Sequence, residues 1–297
     1  MWNLKDLIGG NFNSIMLDIA KHGGSFMEVI DFDRPEETFP DELRNWDSDF
    51  ENYIKQNINV NDTTEWWDVR QQLWDLNIDR NSIVQNFVAS NMDAEIAVCH
   101  VTRLLDTNTV FQEGLWAFGG SESLGEKRIR DTLVRIGAKE DCIAEILEHA
   151  NYYWNRDKES RKESIHFMID MGHVYREKTA CEFAANLGGE ILRWSLEGVD
   201  KGLYKQEPYK KLWLEGTPSI VKFKVKLKNI LDYCRDNLIA EILNYSIVRK
   251  IYDLQYEFDC TGMTTGAVPA EDIISISEIK GFVDIQKKYD EYKDFYE

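Results

Sequence analysis

The chain has 297 residues, 43% of them hydrophobic and 12% aromatic, enough to build a core and to exclude global disorder. Its formal net charge of -18 excludes a broad nucleic-acid or anionic-membrane surface, because either needs a basic footprint. The length admits one large domain or two modest ones. Residues 1–94 read as a small helical domain, crowded with acid between Asp31 and Glu51 and interrupted by Pro35 and Pro40. Trp46, Trp66, Trp67 and Trp74 interleave with those charges and either pack inward or form a docking surface with an acidic rim.

Residues 95–297 form the second expected unit. Ile96, Val98, His100 and Thr102 alternate with Ala97, Cys99 and Val101, the period of a strand that sets His100 and Thr102 on one face. Asp106 or Thr107 caps a short helix after it, and Gly114 stops that helix. Gly119 to Lys127 has the glycines of a phosphate loop, but Glu126 stands before the lysine and would repel phosphate. Ile129, Leu133 and Ile136, then Ile143, Ile146 and Leu147, have helical spacing around Gly137 and predict a helical hairpin. Thr179 and Glu182 have the spacing of a capping box. The helix they start ends at Gly188–Gly189, and a strand is expected over Ile191–Leu196.

From Tyr204 to Asp253 the pattern is mostly helical, apart from Lys222, Lys224, Lys226 and Lys228. These alternate with Phe223, Val225 and Leu227 as an amphipathic strand-like segment and give a basic row suited to a solvated face, cofactor phosphates or an acidic target. A late strand is expected over Leu254–Cys260, then Val268–Pro269 and a further strand through Ile273–Ile276. The five cysteines are scattered and read as thiols, not as a disulfide frame. His149, His166 and His173 have no metal-ligand spacing, so no metal is expected. Met1–Asp6 lacks a signal-peptide pattern and no stretch reaches transmembrane length, which gives a cytoplasmic expectation, or delivery into a host cytosol by a signal-free route.

Three segments together carry a family resemblance. A strand ending in His100-Val-Thr102, followed by a helix stopped at Gly114-Leu115, resembles the nicotinamide-ribose pocket of the ADP-ribosyltransferase superfamily, in its toxin-like His-Tyr-Glu form. Tyr175 ahead of Thr179-Ala-Cys-Glu-Phe-Ala and Gly188-Gly189 is similar to the same family's middle segment. Gln255-Tyr-Glu257 before the Val268-Pro269 turn is similar to the substrate loop of some ADP-ribosylating toxins. The late strand, the Val268-Pro269 turn and Ile273-Ile274 resemble the end of the same fold, but the residues nearest the turn, Gly262, Met263, Thr264 and Thr265, depart from the pattern by bringing no acid.

The resemblance implies an α+β fold with a split β-sheet core, helical insertions near 121–165 and 200–253, and NAD as cofactor. It implies that His100, Thr102, Arg103 and Gly114 line the cofactor site with Tyr175 stacked on nicotinamide, and that His100, Tyr175 and Glu257 form the catalytic set, Glu257 as its acid and Glu190 as the fallback. The implied function is ADP-ribosylation of a protein or other macromolecular acceptor, in the setting of a toxin or phage–host conflict effector with an antitoxin or regulatory partner. Alternatives on the same fold are an NAD glycohydrolase, an RNA 2′-phosphotransferase and a catalytically inactive binding protein.

Overall fold

In the computed structural model the described residues are 29–61, 63–78, 81–119, 122–161, 164–176, 183–184 and 187–279. The Thr179–Glu182 capping box lies outside them.

The fold is α+β, an open sheet with helices on its faces. Its axis is β2 (Glu95–Leu104), where strict alternation buries both faces: Ile96 and Val98 on one, Ala97, Cys99 and Val101 on the other. β4 (Thr217–Lys226) pairs antiparallel with all of β2, from Glu95–Lys226 to Leu104–Thr217. β6 (Ile273–Glu278) pairs antiparallel with β4. On the other side lie β3 (Ser164–Met168) and β5 (Thr261–Thr265), which pair with each other residue for residue. The short β1 (Ile30–Asp31) runs parallel to β2 at Ile96–Ala97.

The long helix α12 (Asp232–Tyr252) covers the Ile96/Val98 face and is buried from Leu238 to Val248. Phe39, Leu43, Ile54, Val69, Leu73, Val84 and Phe87 enter the same core from α1 (Pro35–Thr38), α2 (Asp41–Arg44), α3 (Ser48–Asn57), α4 (Trp66–Asp75) and α5 (Ser82–Ser90) and the loop after α1. Each such buried side chain contributes about 1.5–3 kcal/mol before chain entropy is counted. The boundary expected at residue 94 therefore runs through one core. Trp46 and Trp66 pack against it, whereas Trp67 and Trp74 are more than half exposed.

The expected helical hairpin is present as α7 (Leu124–Ile136) and α8 (Glu140–Arg161), joined at Gly137 in the left-handed region (φ 90). Ser123 caps α7 by accepting from the Glu126 N–H, so the would-be phosphate loop is a helix cap.

Three expectations are corrected. Residues Ile191–Leu196 are helical, within α10 (Gly189–Val199): Leu192, Ser195 and Leu196 are all fully buried, the i, i+3, i+4 pattern of a helix packed on α7 and α8. The stretch 200–253 is not a helical insertion: between α11 (Lys211–Leu214) and α12 it supplies β4, which includes most of the strand-like lysine segment and is the neighbour of β2 along its whole length. Residues 254–260 are irregular and join no sheet; Tyr256 and Phe258 point instead into a ring cluster with Phe32, Phe39 and Tyr245.

The lysine row faces carboxylates of its own chain. Lys222 meets Asp31 at 2.7 Å and Asp33 at 2.6 Å, Lys224 meets Glu95 at 3.2 Å and Asp272 at 3.5 Å, and Lys228 meets Asp93 at 2.6 Å. Burial works against the Lys222 charge, but the two aspartates outweigh it and raise the ammonium above its ordinary pKa. Part of the acid near the start of the chain thus neutralises the basic row instead of serving a partner.

Candidate functional site

β2 and β3 pair at Cys99–Met168 and then part. Past that point the sheet consists of two leaves, β3–β5 and β2–β4–β6, and a cleft of about 670 Å³ opens beside the divergence. Its walls are residues 100–106 of β2 and the turn after it, Ser164–His166 of β3, and Met263 of β5. That volume is within the range of small-molecule and cofactor sites.

His100 stands at the fork. Its Nδ1 lies 2.7 Å from the carbonyl oxygen of His166 on β3. A carbonyl only accepts, so Nδ1 carries the proton and Nε2 of the neutral ring is a hydrogen-bond acceptor. Burial, and then the neighbouring His166, push the His100 pKa down to about 4 against the help of that hydrogen bond, which keeps the ring neutral near pH 7. Thr102 follows two residues on, half-buried on the same face, with Ser219 opposite it on β4.

Helix α6 (Thr107–Glu113) forms part of the cleft wall. It is capped by Asp106, which accepts from the Asn108 N–H, and ends at Gly114. Gly114 is required by sterics: its φ is +77, and a Cβ there would sit 2.0 Å from the Val268 carbonyl oxygen. Across the opening, α7 turns Arg128, Asp131, Thr132 and Arg135 into the cleft, an i, i+3, i+4, i+7 face. Arg128 is ion-paired to Glu113, and Arg135 lies 3.7 Å from Glu215.

Sequence reasoning missed the aromatic lining of Trp116, Phe118, Tyr153 and Trp154. Trp154 is the most informative of these, since its indole Nε1 is buried with no hydrogen-bond partner. Its signal was the run Tyr152-Tyr-Trp154 in the second half of α8.

The expected site residues fall into two groups. His100, Thr102, Arg103 and Gly114 all line the cleft. The Arg103 guanidinium, however, is spent on backbone carbonyls, with Nε donating to Ala184 at 3.0 Å and Nη1 to Gly216 at 3.2 Å. It ties the segments beside β2 together and is not aimed at a phosphate. Tyr175 and Glu257 lie outside the cleft. Tyr175 is exposed on α9 (Met171–Arg176), whose Val174 packs with Cys99 and Val101, on the sheet face opposite His100. Glu257 is exposed in the irregular segment and lies 3.7 Å from Arg176. Glu190 directly follows Gly188 and Gly189, both of which line the cleft, at the start of α10.

Among the described residues no group of three His, Cys, Asp or Glu side chains is placed to hold a metal, and no helix is long and apolar enough to cross a membrane. The cysteines described, Cys99, Cys142, Cys234 and Cys260, are free thiols. The chain matches no protein-family model, and comparison with curated proteins and with solved structures returns no match.

Proposed function

We propose that the chain binds NAD in the cleft between the two leaves of its sheet and transfers the ADP-ribosyl group to a macromolecular acceptor, the chemistry of the ADP-ribosyltransferase superfamily. The observation that carries this reading is the parting of β2 and β3 at His100, with His100 and Thr102 side by side on the cleft wall. Cleaving the nicotinamide–ribose bond develops oxocarbenium-like charge on the ribose, as glycoside cleavage does. The site must therefore grip the ribose hydroxyls, orient the leaving ring and supply a carboxylate. His100, neutral and with Nε2 as acceptor, suits a ribose hydroxyl; Thr102 can donate or accept beside it. Trp116, Tyr153 and Trp154 supply ring faces in place of Tyr175, and Arg128 and Arg135 supply positive charge for a pyrophosphate that displaces Glu113 and Glu215 from them. Glu190, beside the cleft glycines, replaces Glu257 as the proposed acid.

The test is calorimetric titration of the full chain with NAD, alongside nicotinamide release with and without cell lysate. The reading expects binding, release, and label retained on a lysate macromolecule. Release without retained label points to a glycohydrolase, and NAD-dependent loss of a 2′-phosphate from RNA points to the phosphotransferase. A second reading, a cleft that holds NAD without turning it over, is favoured by the position of Glu257 outside the cleft. Binding with no nicotinamide released, lysate present, would establish it. No binding at all would end both.

A further inference from the structure

A second cavity, about 260 Å³, lies between α4, α12 and residues 259–261, and the NAD reading does not use it. On α12 it is faced by Ala240 and by Asn237, Glu241 and Asn244, an i, i+4, i+7 polar stripe on a helix whose residues 238–248 are all buried. Glu241 is 4% exposed and Asn244 5%. Polar groups at that depth are costly unless paired.

Glu241 accepts three hydrogen bonds and keeps one lone pair, on Oε2, open. Its Oε1 accepts from Arg70 Nη2 at 2.6 Å and Nε at 3.0 Å, and its Oε2 accepts from the Tyr256 hydroxyl at 2.7 Å. Two further Arg70 donors go to Asp259, from Nη2 to the backbone carbonyl at 2.8 Å and from Nη1 to the carboxylate at 3.4 Å. Asn244 is the exception, because its Oδ1 is buried with no hydrogen-bond partner. The cationic donor of the cavity is thus committed, while an acceptor is left over. The charges facing the space are Arg70 against Glu241 and Asp259, one positive and two negative. Trp74, 55% exposed, adds a ring to the lining.

What answers the unpaired Asn244 acceptor and the excess of negative charge is a group that brings N–H donors and positive charge. An ammonium has three N–H donors and no acceptor, and an aromatic face attracts it further. We propose that this cavity is a binding site for a small primary alkylammonium ion, its nitrogen held by Asn244 Oδ1 and the Glu241 and Asp259 carboxylates and its alkyl chain lying along Trp74.

The experiment is calorimetric titration of the full chain with putrescine, and with butanediol as the uncharged donor of equal length, in the absence of NAD. Putrescine should bind with a dissociation constant on the order of 1 mM or tighter, and butanediol at least about tenfold more weakly. Asn244→Leu, which removes the acceptor and fills part of the space, should weaken putrescine at least about tenfold. Asp259→Asn, at an exposed position with little bearing on folding, should weaken it about three- to tenfold, and added salt should do the same. Equal binding of butanediol, unchanged affinity in both variants, or no putrescine binding up to about 50 mM would each overturn the proposal, the last leaving a water-filled cavity only. Should Asn244→Leu fail to fold, the wild-type comparison and Asp259→Asn still decide it. NAD titration plays no part in the readout, so failure here is separate from failure of the cleft reading.

Discussion

His100 and His166 are joined across the point where the sheet divides: the ring Nδ1–H of one donates to the backbone carbonyl of the other over 2.7 Å. A side chain thus satisfies a strand carbonyl that a neighbouring strand would otherwise serve, and it fixes the ring with Nε2 as acceptor. Two functions of one residue can be separated on this basis. Asn places its Nδ2–H close to where the His Nδ1–H stands, so His100→Asn should keep stability within about 0.5 kcal/mol. His100→Ala should lose about 1–2 kcal/mol, because the carbonyl loses its donor. Both should lose NAD binding, as neither offers an acceptor at the Nε2 position. Urea melts and NAD titration of the two variants check this.

The same ring makes stability depend on pH. Folded His100 titrates near 4, while an unfolded histidine titrates near 6.5. Between these values the unfolded chain binds more protons, so stability falls as pH drops from about 6.5 to 4 and is insensitive to this group above that window. The loss should be on the order of 1–2 kcal/mol, allowing for solvent screening of a half-buried ring. Wild type and His100→Asn should differ in melting temperature by an amount that changes through this window and is constant above it.

The elements set by local rules were legible in the sequence. The alternation in β2, the Asp106 cap and Gly114 stop of α6, and the Gly137 turn between α7 and α8 all follow from residues close in the chain. Errors arose where a short pattern fits two periods. In Ile191-Leu-Arg-Trp-Ser-Leu196 the five residues from Leu192 to Leu196 satisfy alternation, yet the buried set is helical. In Leu254–Cys260 alternation is real, but it records an extended segment packed on a ring cluster and not a sheet strand. The fork at His100, the partners of the lysine row and the Arg70–Glu241 pair each join residues far apart in sequence, so no window reports them. Tyr175 and Glu257 were assigned by order along the chain, which does not say on which side of a sheet a residue falls.

Gly114 should tolerate no side chain. Alanine there meets the Val268 carbonyl oxygen at 2.0 Å and holds a φ of +77 that L residues rarely adopt. Gly114→Ala should cost more than about 2 kcal/mol, whereas Gly137→Ala, with a similarly positive φ but open space around its Cβ, should cost about 1 kcal/mol. Paired chemical denaturation curves separate close approach from backbone strain.

The Arg70–Glu241 pair should be costly to break and cheap to replace. Arg70→Met leaves the buried Glu241 carboxylate with only the Tyr256 hydroxyl, a loss of about 3–5 kcal/mol. Arg70→Met with Glu241→Met removes both charges and should recover most of that loss, apart from about 1–2 kcal/mol for the stranded Tyr256 hydroxyl. A double-mutant cycle by urea denaturation gives the coupling. Additive losses would mean that solvent reaches the pair well enough to screen it.

The catalytic acid is the sharpest test of the proposed chemistry, because the two candidates lie in different places. Glu257 is solvent-exposed beside Arg176 and lines no part of the cleft, so Glu257→Gln should leave nicotinamide release within about twofold of wild type. Glu190 stands one residue past the cleft glycines Gly188 and Gly189. Glu190→Gln preserves size and much of the hydrogen bonding but removes the negative charge that a developing ribose cation requires. NAD affinity should stay within a few-fold, and release should fall by about 10²–10³, equivalent to about 3–4 kcal/mol of transition-state stabilisation. Binding and turnover must be measured on the same preparation, since a variant that loses both reports a damaged site and not a missing acid. If Glu257→Gln is the variant that stops release, the acid reaches the ribose only after the 253–260 segment moves. If neither matters while wild type turns over, the next acid to test is Asp131, on the α7 face that lines the cleft.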